Sequence, residues 1–296
     1  MINRLTHYSK LLENSRSAST FKSLVGVVQI SSGLDMDKNM EKIRHEVEQC
    51  AEQGAKFICL PENFNYMGRT YDDDIAMAQS VNGQIIKKYR KLAQEFRVWL
   101  SLGGFQEACD QNPKKRYNTH LIINEEGYIV SEYRKLHLFD IDLTHKGGVS
   151  IDENRYIEPG RDVVDPIFSP LGYIGLSISN DLRYPELYRR LVVGGAQILL
   201  IPSAVFIKSG GSHWKSLLRA RAIENQCYVI SSNQVGVHHD KRQSHGNSMV
   251  VDPWGDIIGH MSDKEGSFVC EIDIDYLDRV RGNMACLTHI RSDLIF

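Results

Sequence analysis

At 296 residues, 42% hydrophobic and 24% charged with a net charge of −2, the chain can bury a large core, as one α/β domain or two smaller ones. The near-neutral balance excludes a basic field for nucleic acid or an anionic membrane, and no apolar run of about 18 residues offers a membrane-spanning helix. Six scattered cysteines (Cys50, Cys59, Cys109, Cys227, Cys270 and Cys286) without a CxxC pair point to reduced thiols of a cytoplasmic-type compartment, not a disulfide frame.

The first 22 residues carry Arg4, Lys10, Arg16 and Lys22, several Ser and Thr, and one acid, Glu13. They read either as a disordered tail or as a basic, Ser-rich mitochondrial transit peptide. The spacing of apolar residues then predicts a strand at 24–30, a helix at 37–53 closed by Gly54, and a buried strand at 56–60 that ends on Pro61 and Glu62. A helix at 83–96 and a strand at 99–105 follow. Strands at 117–124 and 128–134 form a hairpin through Glu126 and Gly127. Residues 136–165 read as one long loop, a length at which loops usually carry function. After the strand through Ile174, Leu176 and Ile178 come a helix at 185–194, a strand at 198–201, a helix at 213–226 and a strand at 228–232. A polar loop at 237–245, a hairpin of 248–251 with 257–260, and a last strand at 267–272 complete the chain. Alternating β and α elements with interspersed hairpins argue a layered α/β domain and not an all-parallel dinucleotide fold.

Three strand ends carry candidate chemistry. Amide hydrolysis needs a nucleophile, a base for its proton, and positive charge or N–H donors where the oxyanion forms. Glu62, directly after an apolar strand, reads as a partly desolvated base with a raised pKa, or as an ordinary loop acid. Lys135 offers a compact cation for an oxyanion, or a solvated surface amine. Ser179, at a sharp turn between the strand ending at Ile178 and a helix opening at Pro185, stands where side chains are held out beside free N–H groups.

The stretch Ser179-Asn180-Asp181-Leu182-Arg183-Tyr184-Pro185-Glu186-Leu187 resembles the nucleophile elbow of the nitrilase, or carbon–nitrogen hydrolase, superfamily, which reads Cys-Tyr-Asp-x-Arg-Phe-Pro-Glu. Asp181, Arg183, Pro185 and Glu186 fit; Ser179 stands at the family's cysteine and Asn180 at its frequent tyrosine. The resemblance covers about residues 24 to 295. It implies a four-layer α-β-β-α sandwich occupying residues 23–296, with Glu62 as base and Lys135 on the oxyanion. It further implies Glu153, in Glu-Asn-x(4)-Pro-Gly, as an accessory acid that positions the lysine and substrate. The Asn180 N–H is expected in the oxyanion hole. Arg183 is expected either on a substrate carboxylate or paired with Asp181 or Glu186, and Ser203 at the substrate.

Within the superfamily, Pro202-Ser203-Ala204, Ser212-His213-Trp214, the run from Leu218 to Tyr228, the string from His238 to Arg242 and the run from Gly246 to Gly255 resemble the deaminated glutathione amidases. That branch implies a small-molecule substrate, the ω-amide of the α-keto form of glutathione, cleaved to α-ketoglutarate and Cys-Gly. It implies no cofactor and no metal, although His238, His239 and His245 sit close in sequence. It implies a homodimer or larger oligomer, and a cytoplasmic or mitochondrial location. Arg219, Arg221 and Glu224, at helical spacing, read as a buried scaffold network. A serine hydroxyl is a far weaker acid than a thiol, so a lone carboxylate base is poorly matched to it. Ser179 therefore leaves open an amidase with slow turnover, an engineered inert variant, or a catalytically silent binding protein of the same fold.

Overall fold

The computed structural model describes residues 21–142, 144–146 and 150–291. The first sheet contains β1 (Lys22–Gln29), β2 (Phe57–Leu60), β3 (Trp99–Ala108), β4 (Arg116–Ile123) and β5 (Ile129–Arg134) in spatial order, with one strand from the far end of the chain outside β1. Its first three strands run parallel and the rest antiparallel. A short pair, β6 (Asp140–Asp142) and β7 (Ser150–Asp152), leads to the second sheet. That sheet takes β8 (Ile167–Ser169), β9 (Gly172–Leu176), β10 (Ile198–Leu200) and β11 (Tyr228–Ser231). The hairpin β12 (Val235–His239) and β13 (Arg242–His245) stands outside it. The strands β14 (Met249–Val251) and β15 (Ile257–His260) complete it, and β16 (Gly266–Asp273) is the strand that returns to β1.

Strand alternation explains why the central segments are apolar at every position. Successive side chains point to opposite faces, and both faces here are covered. Phe57 and Cys59 face the layer between the sheets, with Val25, Val27, Ile174, Leu176, Ile198, Leu200 and Ile230. Ile58 and Leu60 face outward onto Ile43 and Val47 of α1 (Met36–Glu52). Beyond the short α2 (Tyr71–Ala76), Ile86 and Tyr89 of α3 (Gln84–Phe96) complete that cover. In the second sheet Leu199 and Ile201 turn outward onto Leu187 and Leu191 of α4 (Pro185–Val193) and Leu218 and Ala222 of α5 (Lys215–Asn225). The result is the expected α-β-β-α sandwich. Truncating a fully buried Ile58 or Leu199 to alanine costs about 2–5 kcal/mol.

Helix ends follow local chemistry. Asp35 caps α1 by accepting from the N–H groups of Asp37 and Lys38, both at 3.1 Å. Pro185 opens α4 where a missing N–H costs nothing.

Several elements differ from expectation. The long loop contains the β6–β7 pair, and the polar stretch at 237–245 is a hairpin; neither has the apolar alternation by which strands are read. The short acidic α2 rests on a capping box between Thr70 and Asp73, not on an apolar stripe. After β16 the chain adds α6 (Ile274–Asn283), which buries Ile274, Leu277 and Val280. The helix expected at 213–226 forms at Lys215–Asn225, after a short α-helical turn at Ile207–Ser209 and a π-helical turn at Gly210–Trp214. Residues 1–20 of the expected leader lie outside the described residues, and Lys22 opens β1. No helix of the described residues is long and apolar enough to cross a membrane.

Candidate active site

The corner after β9 is held in an unusual backbone state. Ser179 has φ +48°, a left-handed conformation costly for a residue with a Cβ, and it persists because neighbours fix both sides. The Ser179 N–H donates to the Pro202 carbonyl at 2.9 Å. Asp181, fully buried, gathers the rest: Oδ2 accepts from Tyr133 Oη at 2.7 Å and the Ile178 N–H at 2.8 Å, while Oδ1 accepts from the His137 N–H at 3.0 Å and faces His137 Nδ1 at 2.7 Å. Below the turn, Arg221 of α5 donates Nε and Nη2 to the Leu182 carbonyl and pairs with Glu224 at 2.9 Å. The expected scaffold network therefore braces the elbow, although Arg219 is exposed and instead reaches the Gly255 carbonyl.

Glu62, Lys135 and Glu153 converge on the same place from three separate chain segments. Glu62 is buried. Its Oε1 accepts from Asn118 Nδ2 at 2.8 Å and faces Lys135 Nζ at 3.4 Å, and its Oε2 accepts from the Ala204 N–H at 2.9 Å. The approach needs Gly104: at φ +71° its missing Cβ would lie 2.5 Å from Glu62 Cγ. Lys135, 1% exposed, places Nζ 2.9 and 3.2 Å from the oxygens of Glu153. Glu153 in turn accepts from the Phe139 N–H at 2.8 Å.

Electrostatics correct one expectation. Burial alone pushes the Glu62 carboxyl up, but the charge of Lys135, bonds from Asn118 and Ser179 and the charge of Arg242 outweigh it, so its pKa lies below the usual carboxylate range. Burial likewise opposes charge on Lys135, and Glu153 and Glu62 overcome it, raising its pKa. Glu62 is thus an ionised carboxylate between two cations, not a half-protonated one.

The cleft in front of these groups encloses about 600 Å³ including its open mouth. Glu62, Glu153, Ser179, Asn180 and Arg183 line it, and Lys135 sits just behind the wall. Asn180 anchors Nδ2 on the carbonyls of Leu138 (3.0 Å) and His137 (3.3 Å), leaving a buried Oδ1 without a partner. Arg183 is exposed at the mouth and meets His213 Nδ1 at 3.2 Å; the oxygens of Asp181 are taken by other groups. Ser203 is placed differently from expectation. It is fully buried off the cleft wall, and its hydroxyl donates to the Ile201 carbonyl at 3.2 Å. Asn118 and Arg242 were not singled out, because a polar residue inside a strand and an arginine in a polar string carry no local mark of what they will face.

Other candidates do not join the site. Cys59 lies inside β2 with its thiol pKa raised by burial, and Cys227 is pushed up to about 12 for the same reason, so both are inert. His238 spends its nitrogens on the Ser32 carbonyl at 2.8 Å and Ser244 Oγ at 2.9 Å. Among the described residues no group of three or more His, Cys, Asp or Glu is arranged to hold a metal ion.

Comparison with known proteins places this geometry in context. Residues 24–282 match the family model for carbon-nitrogen hydrolases. The deaminated glutathione amidase of Dictyostelium discoideum is 42% identical over 286 residues, covering 94% of this chain and 97% of that protein. The nitrilase and fragile histidine triad fusion protein NitFhit of Caenorhabditis elegans is 39% identical over 279 residues; these are 94% of this chain but 63% of the fusion protein, so the chain spans under two thirds of its length. The crystal structure of that fusion protein matches with a TM-score of 0.88 at 40% identity, covering 94% of this chain and 67% of that one.

Proposed function

This chain belongs to the carbon–nitrogen hydrolase family, and from that membership we propose that it cleaves the amide of deaminated glutathione to α-ketoglutarate and Cys-Gly, with Ser179 as acyl acceptor. The family makes it a hydrolase of carbon–nitrogen bonds. The substrate is supported by the name that its relatives in Dictyostelium discoideum and in mammals carry. The observation that carries the site is the convergence of three strand ends: Glu62 and Ser179 line one cleft, and Lys135 stands directly behind Glu62 at 3.4 Å.

In this reading Glu62 takes the Ser179 Oγ proton as the oxygen attacks the amide carbon. The tetrahedral oxyanion forms against Lys135 Nζ and the Asn180 N–H, donors fixed before the reaction begins. Glu62 then returns the proton to the leaving nitrogen, the C–N bond breaks, and an ester remains on Ser179. Water, deprotonated by Glu62, attacks the ester carbonyl; the bond to Ser179 Oγ breaks, Glu62 returns the proton to that oxygen, and the acid is freed. Glu153 acts by positioning Lys135. The low pKa of Glu62 keeps it ionised at neutral pH but makes it a weak acceptor for a hydroxyl proton, so turnover is slow and Ser179→Cys is faster.

One observation favours a second reading, a catalytically silent protein that binds the same amide: Glu62, its pKa lowered, stands beside a serine that no histidine among the described residues is shown to contact. Wild type and Ser179→Ala would then share near-zero turnover while both bind ligand. Assaying deaminated glutathione with wild type and Ser179→Cys tests the first reading; a folded cysteine form that releases no α-ketoglutarate overturns it. Residues 23–296 act as one hydrolase domain in this account. Unpaired thiols support a reducing compartment, cytoplasmic or mitochondrial, and exposed Val193 on α4 and Ile223 on α5 support a homodimer.

A further inference from the structure

Arg242 opens β13 on the cleft wall beside Glu62, Ala204 and Phe206, and the mechanism above does not use it as a contact. Its Nη2 donates to the Ala204 carbonyl, and the guanidinium carbon lies over the Phe206 ring, 3.5 Å from its centre. Its Nη1 is shut off from solvent and has no hydrogen-bond partner. Among the described residues no carboxylate lies within ion-pair distance of it, because Glu62 and Glu153 are turned to Lys135. Burial pushes its pKa down to about 10, against the pull of Glu62 and Glu153, so it stays charged at neutral pH. A buried cation with an unpaired N–H is costly, and a ligand anion relieves that cost.

Resting on the reading that the substrate is an ω-amide of an α-keto acid, we propose that the Arg242 guanidinium on the cleft wall binds the α-carboxylate of the acyl half and so selects substrates that carry an acid there. The acyl half stays bonded to Ser179 after the amine departs, so its recognition group belongs inside the cleft, where Arg242 is. The amine half must leave through the mouth, where the exposed Arg183 stands. Without Arg242 the bound carboxylate would face Glu62 and Glu153 with only Lys135 between them. A planar guanidinium fixed by Phe206 and the Ala204 carbonyl is pre-organised to meet it.

The test separates binding from turnover. Calorimetric titration with 2-oxopentanoate and with neutral 2-oxopentanamide is carried out on wild type, Arg242→Met and Arg242→Lys. Wild type is expected to prefer the acid, Arg242→Met to lose roughly 10- to 100-fold in acid binding with the amide unchanged, and Arg242→Lys to fall between. For deaminated glutathione, Arg242→Met is expected to raise KM by a similar factor and to alter kcat less. The inference is overturned if wild type does not prefer the acid, or if Arg242→Met loses acid and amide equally. Should Arg242→Met fail to fold, the wild-type preference and Arg242→Lys still decide. Arg242-dependent acid binding without hydrolysis of deaminated glutathione overturns the proposed substrate and leaves the carboxylate site standing. Hydrolysis that is indifferent to Arg242 does the reverse.

Discussion

Replacing Lys135 by methionine separates its two jobs. Its Nζ, on a side chain 1% exposed, stands between Glu153 at 2.9 Å and Glu62 at 3.4 Å. Removing one partner of a buried ion pair strands the other charges and costs about 3–5 kcal/mol. That corresponds to a melting temperature lower by roughly 5–8 °C in a chain of this size. Losing a fixed oxyanion donor lowers kcat by about 10²–10³. Glu153→Gln added to Lys135→Met removes one of the two stranded carboxylates, so the double variant should regain part of the stability and none of the activity. Thermal unfolding and steady-state α-ketoglutarate release measure the two effects. A Lys135→Met protein destabilised by less than about 1 kcal/mol, the size of an exposed pair, refutes the buried-triad reasoning. So does recovery of activity in the double variant.

Gly104→Ala forces a Cβ into left-handed backbone and to 2.5 Å from Glu62 Cγ, so it should cost about 1–3 kcal/mol and lower kcat, read by chemical denaturation and the same assay. Asp181→Asn weakens the support of the elbow at Tyr133, Ile178 and His137; kcat should fall by more than tenfold while the sheets stay folded by circular dichroism. The acid limb of kcat/KM should lie below the usual carboxylate range, because Glu62 has a lowered pKa and remains ionised as pH falls from neutral. Stability should fall with acid earlier than that. His120 and His238 are held neutral by burial with pKa values of about 4, against 6.5 unfolded. Between these values the unfolded chain binds more protons, so stability drops as pH goes from 6.5 toward 4, by about 3 kcal/mol for each histidine. His120→Asn should flatten that slope in denaturation curves taken across the range.

What was legible in the sequence follows from burial. Phe57 to Leu60 and Ile198 to Leu200 are apolar at every position because sheet and helix layers cover both faces, and Glu62 stands at the corner after the first of them. Lys135 follows a strand, Ile129–Arg134, that mixes polar and apolar residues and is only partly buried, and it was legible from its motif and not from burial. The polar hairpin of β12 and β13 was not legible, since its strands are stabilised against the cleft and not by an apolar face. The pKa of Glu62 was misread for a related reason: Lys135, Asn118 and Arg242, each distant in sequence, reach it only once the chain has folded. Ser203, expected at the substrate from the resemblance alone, lies off the cleft wall, and its hydroxyl is satisfied by the Ile201 carbonyl of its own segment.

The most direct measurement of the central claim is intact mass and peptide mapping of protein quenched during turnover of deaminated glutathione. The account requires an acyl adduct on Ser179, absent from Ser179→Ala. An adduct on another residue, or α-ketoglutarate release by Ser179→Ala at the wild-type rate, contradicts it.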